Sequence, residues 1–208
     1  MRMTDHRIVT LLLAAGASSR MGQPKALLPW GDTTVLGHLL GQTAAAGLQD
    51  TVLVTGAHHR EIVAVSDLDG VLMCLNQGWD AGMGSSLVAG IRYVSDFITG
   101  ATAILVLLSD QPLISHEYLQ EMLKAHLAHP GHIIATAYGT GEGVPALFPR
   151  DFWGEMLRIS PEKGAKAFIR SRGEDVLLLD AGVAITDMDT PEAYRKALKI
   201  AGLNTDLK

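Results

Sequence analysis

The sequence predicts a three-layer open α/β fold, a mostly parallel sheet covered by helices on both faces. Three observations carry that expectation. Apolar runs of strand length alternate with helical patterns almost throughout the chain. The runs are continuous rather than alternating, as in strands buried on both faces. Hydrophobic residues make up 48% of the 208 residues while aromatics are only 5%, so the core must be built from Leu, Val, Ile and Ala.

The predicted strands are Ile8–Ala14, Thr51–Thr55, Val71–Leu75, Ala103–Leu108, Ile133–Tyr138 and Val176–Leu179. Between them, Asp32 or Thr33 can cap a helix through Ala46, with Gly47 as its stop. A second helix runs from about Ser85 to Phe97. A third runs from Ser115, its cap, to His129 before Pro130-Gly131. The last spans Pro191 to about Ala201, with Thr190 as cap and Pro191 in the first turn. Residues 139–172 break the rhythm, being Gly/Pro-rich with two short helical stretches. They read as a small insertion or cap over the sheet within a single domain spanning 1–208. Ligands of open α/β sheets sit beyond the carboxyl ends of the strands. That rule selects the loops after Leu13, Leu75 and Leu108.

Composition excludes several classes. A net charge of −5 without a basic block gives no footprint for nucleic acid. No run approaches the roughly 20 apolar residues of a membrane span. The stretch Ile8–Ala15 runs straight into a polar loop, so it reads as a buried strand rather than a leader. Cys74, the single cysteine, excludes an internal disulfide and reads as a buried inert thiol, consistent with a cytoplasmic protein. The histidines His58-His59 and His126/His129/His132 share no common face and are not expected to bind metal.

The loop after the first strand, Ala14-Ala15-Gly16-Ala17-Ser18-Ser19-Arg20-Met21-Gly22-Gln23-Pro24-Lys25, carries the most chemistry. Gly16 and Gly22 permit sharp turns, and amides freed by such turns form an anion-binding concavity. Ser18 and Ser19 add hydroxyls, and Arg20 and Lys25 add cations, a combination suited to a triphosphate. The loop matches neither Walker A nor Gly-x-Gly-x-x-Gly.

Asp110, in Leu107-Leu108-Ser109-Asp110-Gln111-Pro112, follows a predicted strand and stands where Mg²⁺ would bridge it to phosphate; a turn or cap role is equally open. Asp187 and Asp189 can supply a second metal ligand, or cap the last helix with Thr190. Asn76 to Leu87, with Gly82, Ser85 and Ser86, reads as amides aimed at a ligand or as a helix cap. Gly143-Val144-Pro145-Ala146-Leu147-Phe148 reads by periodicity as an edge strand entered by Pro.

These motifs together resemble the molybdopterin-nucleotide transferase branch of the nucleotidyltransferase superfamily, and within it most the molybdenum cofactor cytidylyltransferases. The resemblance covers Leu11 to about Tyr194. It rests on Leu13-Ala14-Ala15-Gly16, the short Arg20-Met21-Gly22-x-x-Lys25 spacing, Asn76–Leu87, Asp110-Gln111-Pro112, Lys163-Gly164-Ala165 and Asp187-x-Asp189-Thr190-Pro191. It implies a Rossmann-like nucleotidyltransferase fold and transfer of CMP from CTP to the terminal phosphate of molybdenum-molybdopterin, with Mg²⁺ as cofactor.

Arg20 and Lys25 would bind the triphosphate and, with Asp110, carry catalysis; Leu13, Ala14, Ala15, Gly16, Ser18, Ser19, Gly22, Asn76, Gly82, Ser85 and Ser86 would hold the nucleotide. Asp110 would hold the metal with Asp187, or Asp189 as the fallback. Gly143, Val144 and Pro145 would face the pterin acceptor. Guanylyl members usually read Ala-Gly-Gly where this chain has Ala14-Ala15-Gly16, which favours CTP over GTP. Two positions depart from the cytidylyl pattern: Val144 stands where His is common, and Pro161-Glu162 where Gly-Asp is common. The alternatives are guanylyl or another nucleotidyl transfer to a different phosphorylated acceptor, or a non-catalytic protein that delivers cofactor to a molybdenum hydroxylase.

Overall fold

The computed structural model describes residues 6–18, 21–139, 141–182 and 187–204. In chain order its elements are β1 (Arg7–Ala14), β2 (Pro29–Trp30), β3 (Thr33–Thr34), α1 (Val35–Ala45), β4 (Asp50–Thr55), α2 (His59–Val65), β5 (Val71–Leu75) and α3 (Met83–Phe97). There follow β6 (Ala101–Leu108), α4 (His116–Ala128), β7 (Ile133–Tyr138), β8 (Gly141–Pro149), α5 (Trp153–Met156), α6 (Ala165–Arg170), β9 (Val176–Asp180) and α7 (Pro191–Ile200). The main sheet has seven strands in the order β5-β4-β1-β6-β8-β7-β9. Every pairing is parallel except those made by β8, which runs antiparallel to both β6 and β7.

The period-2 alternation of side chains across each strand separates two cores. Leu12, Leu53, Leu105 and Leu107 pack with Leu36, Leu39 and Met122 on the face covered by α1, α4 and α7. Leu11, Leu13, Val52, Val54, Ile104 and Val106 pack with Leu87, Ile91 and Phe148 on the face covered by α3, α5 and α6. Both faces are therefore apolar, which explains the continuous runs in the sequence. The chain leaves β1 toward β4 and β5 on one side, then returns to place β6 on the other. Strand order thus reverses beside β1, where such sheets open a crevice.

Several expectations require correction. Residues 141–149, expected within an insertion over the sheet, form β8 inside it, between β6 and β7. Gly143–Phe148 is accordingly an interior strand, not an edge. Its proline is tolerated because the β7 register jumps from Ala135 opposite Ala146 to Thr136 opposite Gly143, leaving Val144-Pro145 in a bulge. Thr34, rather than Asp32 or Thr33, caps α1, accepting from Gly37 N at 3.1 Å. Asp32 is taken by the hairpin turn between β2 and β3, with Gly31 at φ 64°. Helix α3 begins at Met83, two residues before the expected Ser85, with Gly82 at its N-cap. Helix α2 was not expected, because its seven residues bury only Ile62. The caps at Ser115 and Thr190 are as expected, accepting from Tyr118 N and Ala193 N.

His126 of α4 is 2% exposed and its Nδ1 has no hydrogen-bond partner. Burial, aided by the nearby His6, lowers its pKa from 6.5 to about 4. The folded state thus disfavours the imidazolium. Its stabilising contribution is complete above the unfolded pKa and is lost as pH falls toward the folded one. Acidification from pH 6.5 to 4 is expected to cost on the order of 3 kcal/mol through this side chain. Urea titrations across that range check it: His126→Leu should flatten the slope, and an unchanged slope would place the acid sensitivity elsewhere. Phe148→Ala, in the opposite core, is expected to cost about 3–5 kcal/mol by the same measurement at neutral pH.

Candidate active site

The loop leaving β1 is shaped by close backbone approach. Ala15 O accepts from Ala57 N at 3.1 Å, tying this loop to the one after β4. Gly56 is required there, since a Cβ would lie 2.6 Å from Ala15 O and from Trp79 Cβ. Ser18 sits in the left-handed region at φ 50°, uncommon for a residue with a side chain. It closes the loop from both sides. Its carbonyl accepts from Met21 N at 2.9 Å, and its Oγ accepts from Lys25 N at 3.1 Å.

From that anchored position the Lys25 side chain reaches the loop after β6. Its Nζ donates to Asp110 Oδ2 at 3.0 Å and to Asp189 Oδ1 at 2.5 Å. The 187–190 segment is tied to the same place twice more: Met188 N donates to Asp110 O at 3.0 Å, and Gln111 Nε2 donates to Asp187 Oδ1 at 2.8 Å. Gln111 Nε2 also lies 3.2 Å from the Tyr138 hydroxyl, which accepts from it. Asp189, rather than Asp187, therefore shares the Lys25 ammonium with Asp110.

Among the described residues, carboxylates outnumber ammonium groups in this cluster. Burial pushes the Lys25 pKa down, but Asp110 and Asp189 outweigh it and the ammonium is held charged. Asp110 is pushed up by burial and by Asp187 and Asp189, with Lys25 opposing. Both partners of one ion pair move upward, Asp110 chiefly because it is buried and Lys25 because Asp110 and Asp189 together outweigh its own burial. Asp110 Oδ1 is buried without a hydrogen-bond partner. An orphaned carboxylate oxygen, a second carboxylate converging from Asp189 and surplus negative charge fit a hard divalent cation whose shell is completed by phosphate oxygens and water. Among the described residues no group of three or more His, Cys, Asp or Glu converges, so the protein alone would not complete that shell.

A cavity of about 340 Å³ opens over these groups. Leu13, Ala14, Ala15, Gly16, Ser18 and Lys25 line it from the β1 side, Gly82 and Ser86 from α3, and Asp110 from β6. Three expected nucleotide-binding residues, Asn76, Ser85 and Gly22, do not line it. Asn76 Nδ2 donates to Ser85 Oγ at 2.9 Å and Ser86 Oγ at 3.0 Å, bracing the start of α3. Gly22 takes φ 69° in the turn preceding Lys25. Gly82 and Gly84 allow residues 160–163 to approach, Gly84 N donating to Pro161 O at 2.8 Å. Ser19 and Arg20 lie outside the described residues.

Gly143, Val144 and Pro145 lie at the same end of the sheet but do not line the cavity. Gly143 packs under the Tyr138 ring, where a Cβ would come within 3.0 Å of Cε2. Conversely, His58, Trp79 and Asp80 line the cavity and were not among the expected site residues. His58 follows β4, the strand beside β1. Applying the carboxyl-end rule to Thr55 as well as to Leu13, Leu75 and Leu108 would have found it.

A family model described as a MobA-like NTP transferase domain matches residues 10–176. A Paenarthrobacter nicotinovorans protein named nicotine blue oxidoreductase is 32% identical over 207 residues, 94% of this chain and 98% of its own. A probable molybdenum cofactor guanylyltransferase of Bacillus cereus (strain Q1) is 30% identical over 118 residues, 55% of this chain and 54% of its own. The crystal structure of Rv0371c from Mycobacterium tuberculosis H37Rv superposes with a TM-score of 0.79 at 32% identity, covering 95% of this chain and 100% of that one. Rv0371c in complex with manganese superposes with a TM-score of 0.74 at 30% identity, covering 93% of this chain and 98% of that one.

Lys25→Met would leave the Asp110 carboxylate buried without its cation. The expected cost at neutral pH is on the order of 2–3 kcal/mol. The penalty should shrink as acid protonates Asp110. Denaturant titration at two pH values reads both effects, and an equal loss at each would mean that Lys25 acts through packing alone.

Proposed function

The chain belongs to the MobA-like NTP transferase family, and from that premise we propose that it transfers CMP from CTP to the terminal phosphate of a molybdenum-molybdopterin acceptor. One observation carries the reading. The loop after β1, anchored at Ser18, brings Lys25 against Asp110 on the wall of a cavity at the reversal point of the sheet, with Asp189 paired to the same ammonium. Amides and cation on one side and carboxylates on the other are what a metal triphosphate needs.

In the proposed reaction an acceptor phosphate oxygen attacks the α-phosphorus of the triphosphate. A new P–O bond forms to the acceptor, and the bond to the β-phosphate oxygen breaks, releasing pyrophosphate. The nucleophile is ionised near neutral pH, since a phosphate monoester has its second pKa near 6. No general base is required, and the protein's task is positioning and charge neutralisation. The loop from Leu13 to Ser18 cradles the triphosphate, and Lys25 offsets its charge. Asp110 and Asp189 would hold Mg²⁺, which when bound supplies charge neutralisation at the phosphate oxygens; the similar Rv0371c has been solved in complex with manganese, which supports the use of a divalent ion. Asp187, held by Gln111, would set the Asp189 segment in place. The acceptor would lie toward Tyr138 and Gly143–Pro145.

The oxidoreductase name of the P. nicotinovorans relative points to other chemistry. Against carrying it over, the loop after β1 runs Gly16 to Gly22 without Gly-x-Gly-x-x-Gly. Guanylyl transfer is the second reading, favoured by the B. cereus relative. Ala15, where guanylyl members carry Gly, favours CTP. A molybdenum hydroxylase is the proposed recipient of the product.

Pyrophosphate release from CTP, GTP, ATP and UTP, with Mg²⁺ and molybdenum-molybdopterin, tests the proposal. The expected outcome is turnover with CTP above the others. Preference for GTP would move the reading to guanylyl transfer, and no turnover with any triphosphate would leave a delivery protein. Asp110→Ala is expected to abolish turnover, a loss of about 10²-fold or more, while the fold survives by circular dichroism. Retained activity in that variant would overturn the metal assignment.

A further inference from the structure

His58 is an ionisable group in the cavity wall that the proposed chemistry does not use. It stands at the N-cap of α2, two residues beyond Gly56, and lines the same cavity as Gly16, Ser18 and Lys25. Both of its ring nitrogens are engaged. Nε2 lies 2.9 Å from Ala17 O, and Nδ1 lies 2.9 Å from Glu61 Oε1. A carbonyl and a carboxylate can only accept. A neutral imidazole has one N–H and could satisfy one of them; the imidazolium has two and satisfies both.

We propose that His58 is a positioning residue that, as an imidazolium bridging Glu61 to the Ala17 carbonyl, holds the loop after β1 in its triphosphate-binding shape. This rests on the nucleotidyl-transfer reading of the cavity and adds a residue to it. Ala17 lies between Gly16, which lines the cavity, and Ser18, whose left-handed backbone and Oγ anchor Lys25. Fixing the Ala17 carbonyl thus fixes the peptide on which the Lys25 position depends. The contact also extends the one between Ala57 N and Ala15 O, so two neighbouring loop carbonyls are held by the segment that follows β4.

The electrostatics agree with the geometry. Burial alone would lower the His58 pKa, but Glu61 and the Ala17 carbonyl together raise it. Neighbouring His59 is engaged separately, its Nδ1 2.8 Å from Thr55 Oγ1. Among the described residues, the other ionisable groups lining the cavity are Asp80 in the turn after β5, and Lys25 and Asp110. The sign of the pH effect follows. The bridge is complete below the His58 pKa and is lost as pH rises through it, so triphosphate binding should weaken with rising pH. Ionisation of the ligand's own terminal phosphate works the other way, which keeps the two effects separable.

Calorimetric titration of the wild-type protein, His58→Gln and Glu61→Gln with magnesium CTP and GTP, between about pH 6 and 9, tests this. The wild type should bind roughly fivefold more weakly at the alkaline end. Glu61→Gln, which does not touch the cavity, should move that transition to lower pH. His58→Gln should remove it, raising KM for the triphosphate more than it lowers kcat. The His58 ring, followed by NMR, should titrate at lower pH in Glu61→Gln than in wild type. If His58→Gln keeps the wild-type pH dependence, or if tight wild-type binding is independent of pH, the inference about His58 falls and nucleotidyl transfer stands. If the wild type binds no triphosphate at any pH, both fall.

Discussion

The Lys25 ammonium holds the candidate site together. It lies between Asp110 and Asp189, and those carboxylates belong to segments far apart in the chain, after β6 and before α7. The lysine itself hangs from the loop after β1, its backbone pinned by Ser18. Two exposed ions meeting in this way would contribute little. Here Asp110 is largely buried, so the ammonium offsets a charge that would otherwise be costly to hold. Among the described residues carboxylate exceeds ammonium in this cluster, which suits it to receive further positive charge.

The sheet makes that meeting possible. β1 is flanked by β4 and β6 in parallel, so three strands deliver their carboxyl ends to one crevice. Pairing continues to its rim, where Ser109 N donates to Leu13 O at 3.0 Å, one residue before Asp110. Apolar layers on both faces leave the strands little freedom to slide, because a one-residue slip would exchange the two cores. The loops inherit that rigidity from short backbone bonds and from glycines where two chain segments touch. Asn76 extends the same support to α3 by binding both Ser85 and Ser86.

The site divides along the sheet. Toward β4 and β5 lie His58, Trp79, Gly82 and Ser86, around the cavity proposed for the triphosphate. Toward β7 and β8 lie Tyr138 and Gly143, the side proposed for the acceptor. Gln111 stands at the boundary, bonded to Asp187 and Tyr138 at once. Burial raises the Tyr138 hydroxyl far above its ordinary value, so it remains a neutral group on that side. The antiparallel insertion of β8 turns the start of that strand back toward the end of β6. A strand at the sheet edge would have placed Gly143–Pro145 farther from Asp110.

The strand positions, the caps of α4 and α7 and the loop from Ala14 to Lys25 were legible in the sequence because each is a local property. Continuous apolar runs mark two-sided burial, Ser or Thr before a helix satisfies its first amides, and glycines permit the turns the loop requires. Most cavity-lining residues expected of that loop line it for the same reason. What local pattern could not supply was pairing at a distance. Gly143–Phe148, buried on both faces and carrying Pro145 in a bulge, looks like an edge strand until β6 and β7 close on either side. Asp187 and Asp189 are equivalent along the chain, and only Gln111 and Lys25, far away in sequence, separate their roles. His58 looks like one of two unrelated histidines until the sheet sets β4 beside β1 and brings Ala17 within reach. Sequence alone determined which residues could do chemistry, because residue type and turn geometry are written locally. Tertiary structure decided which of them meet, because ion pairs and long-range hydrogen bonds depend on strand order, and strand order depends on two cores packing at once.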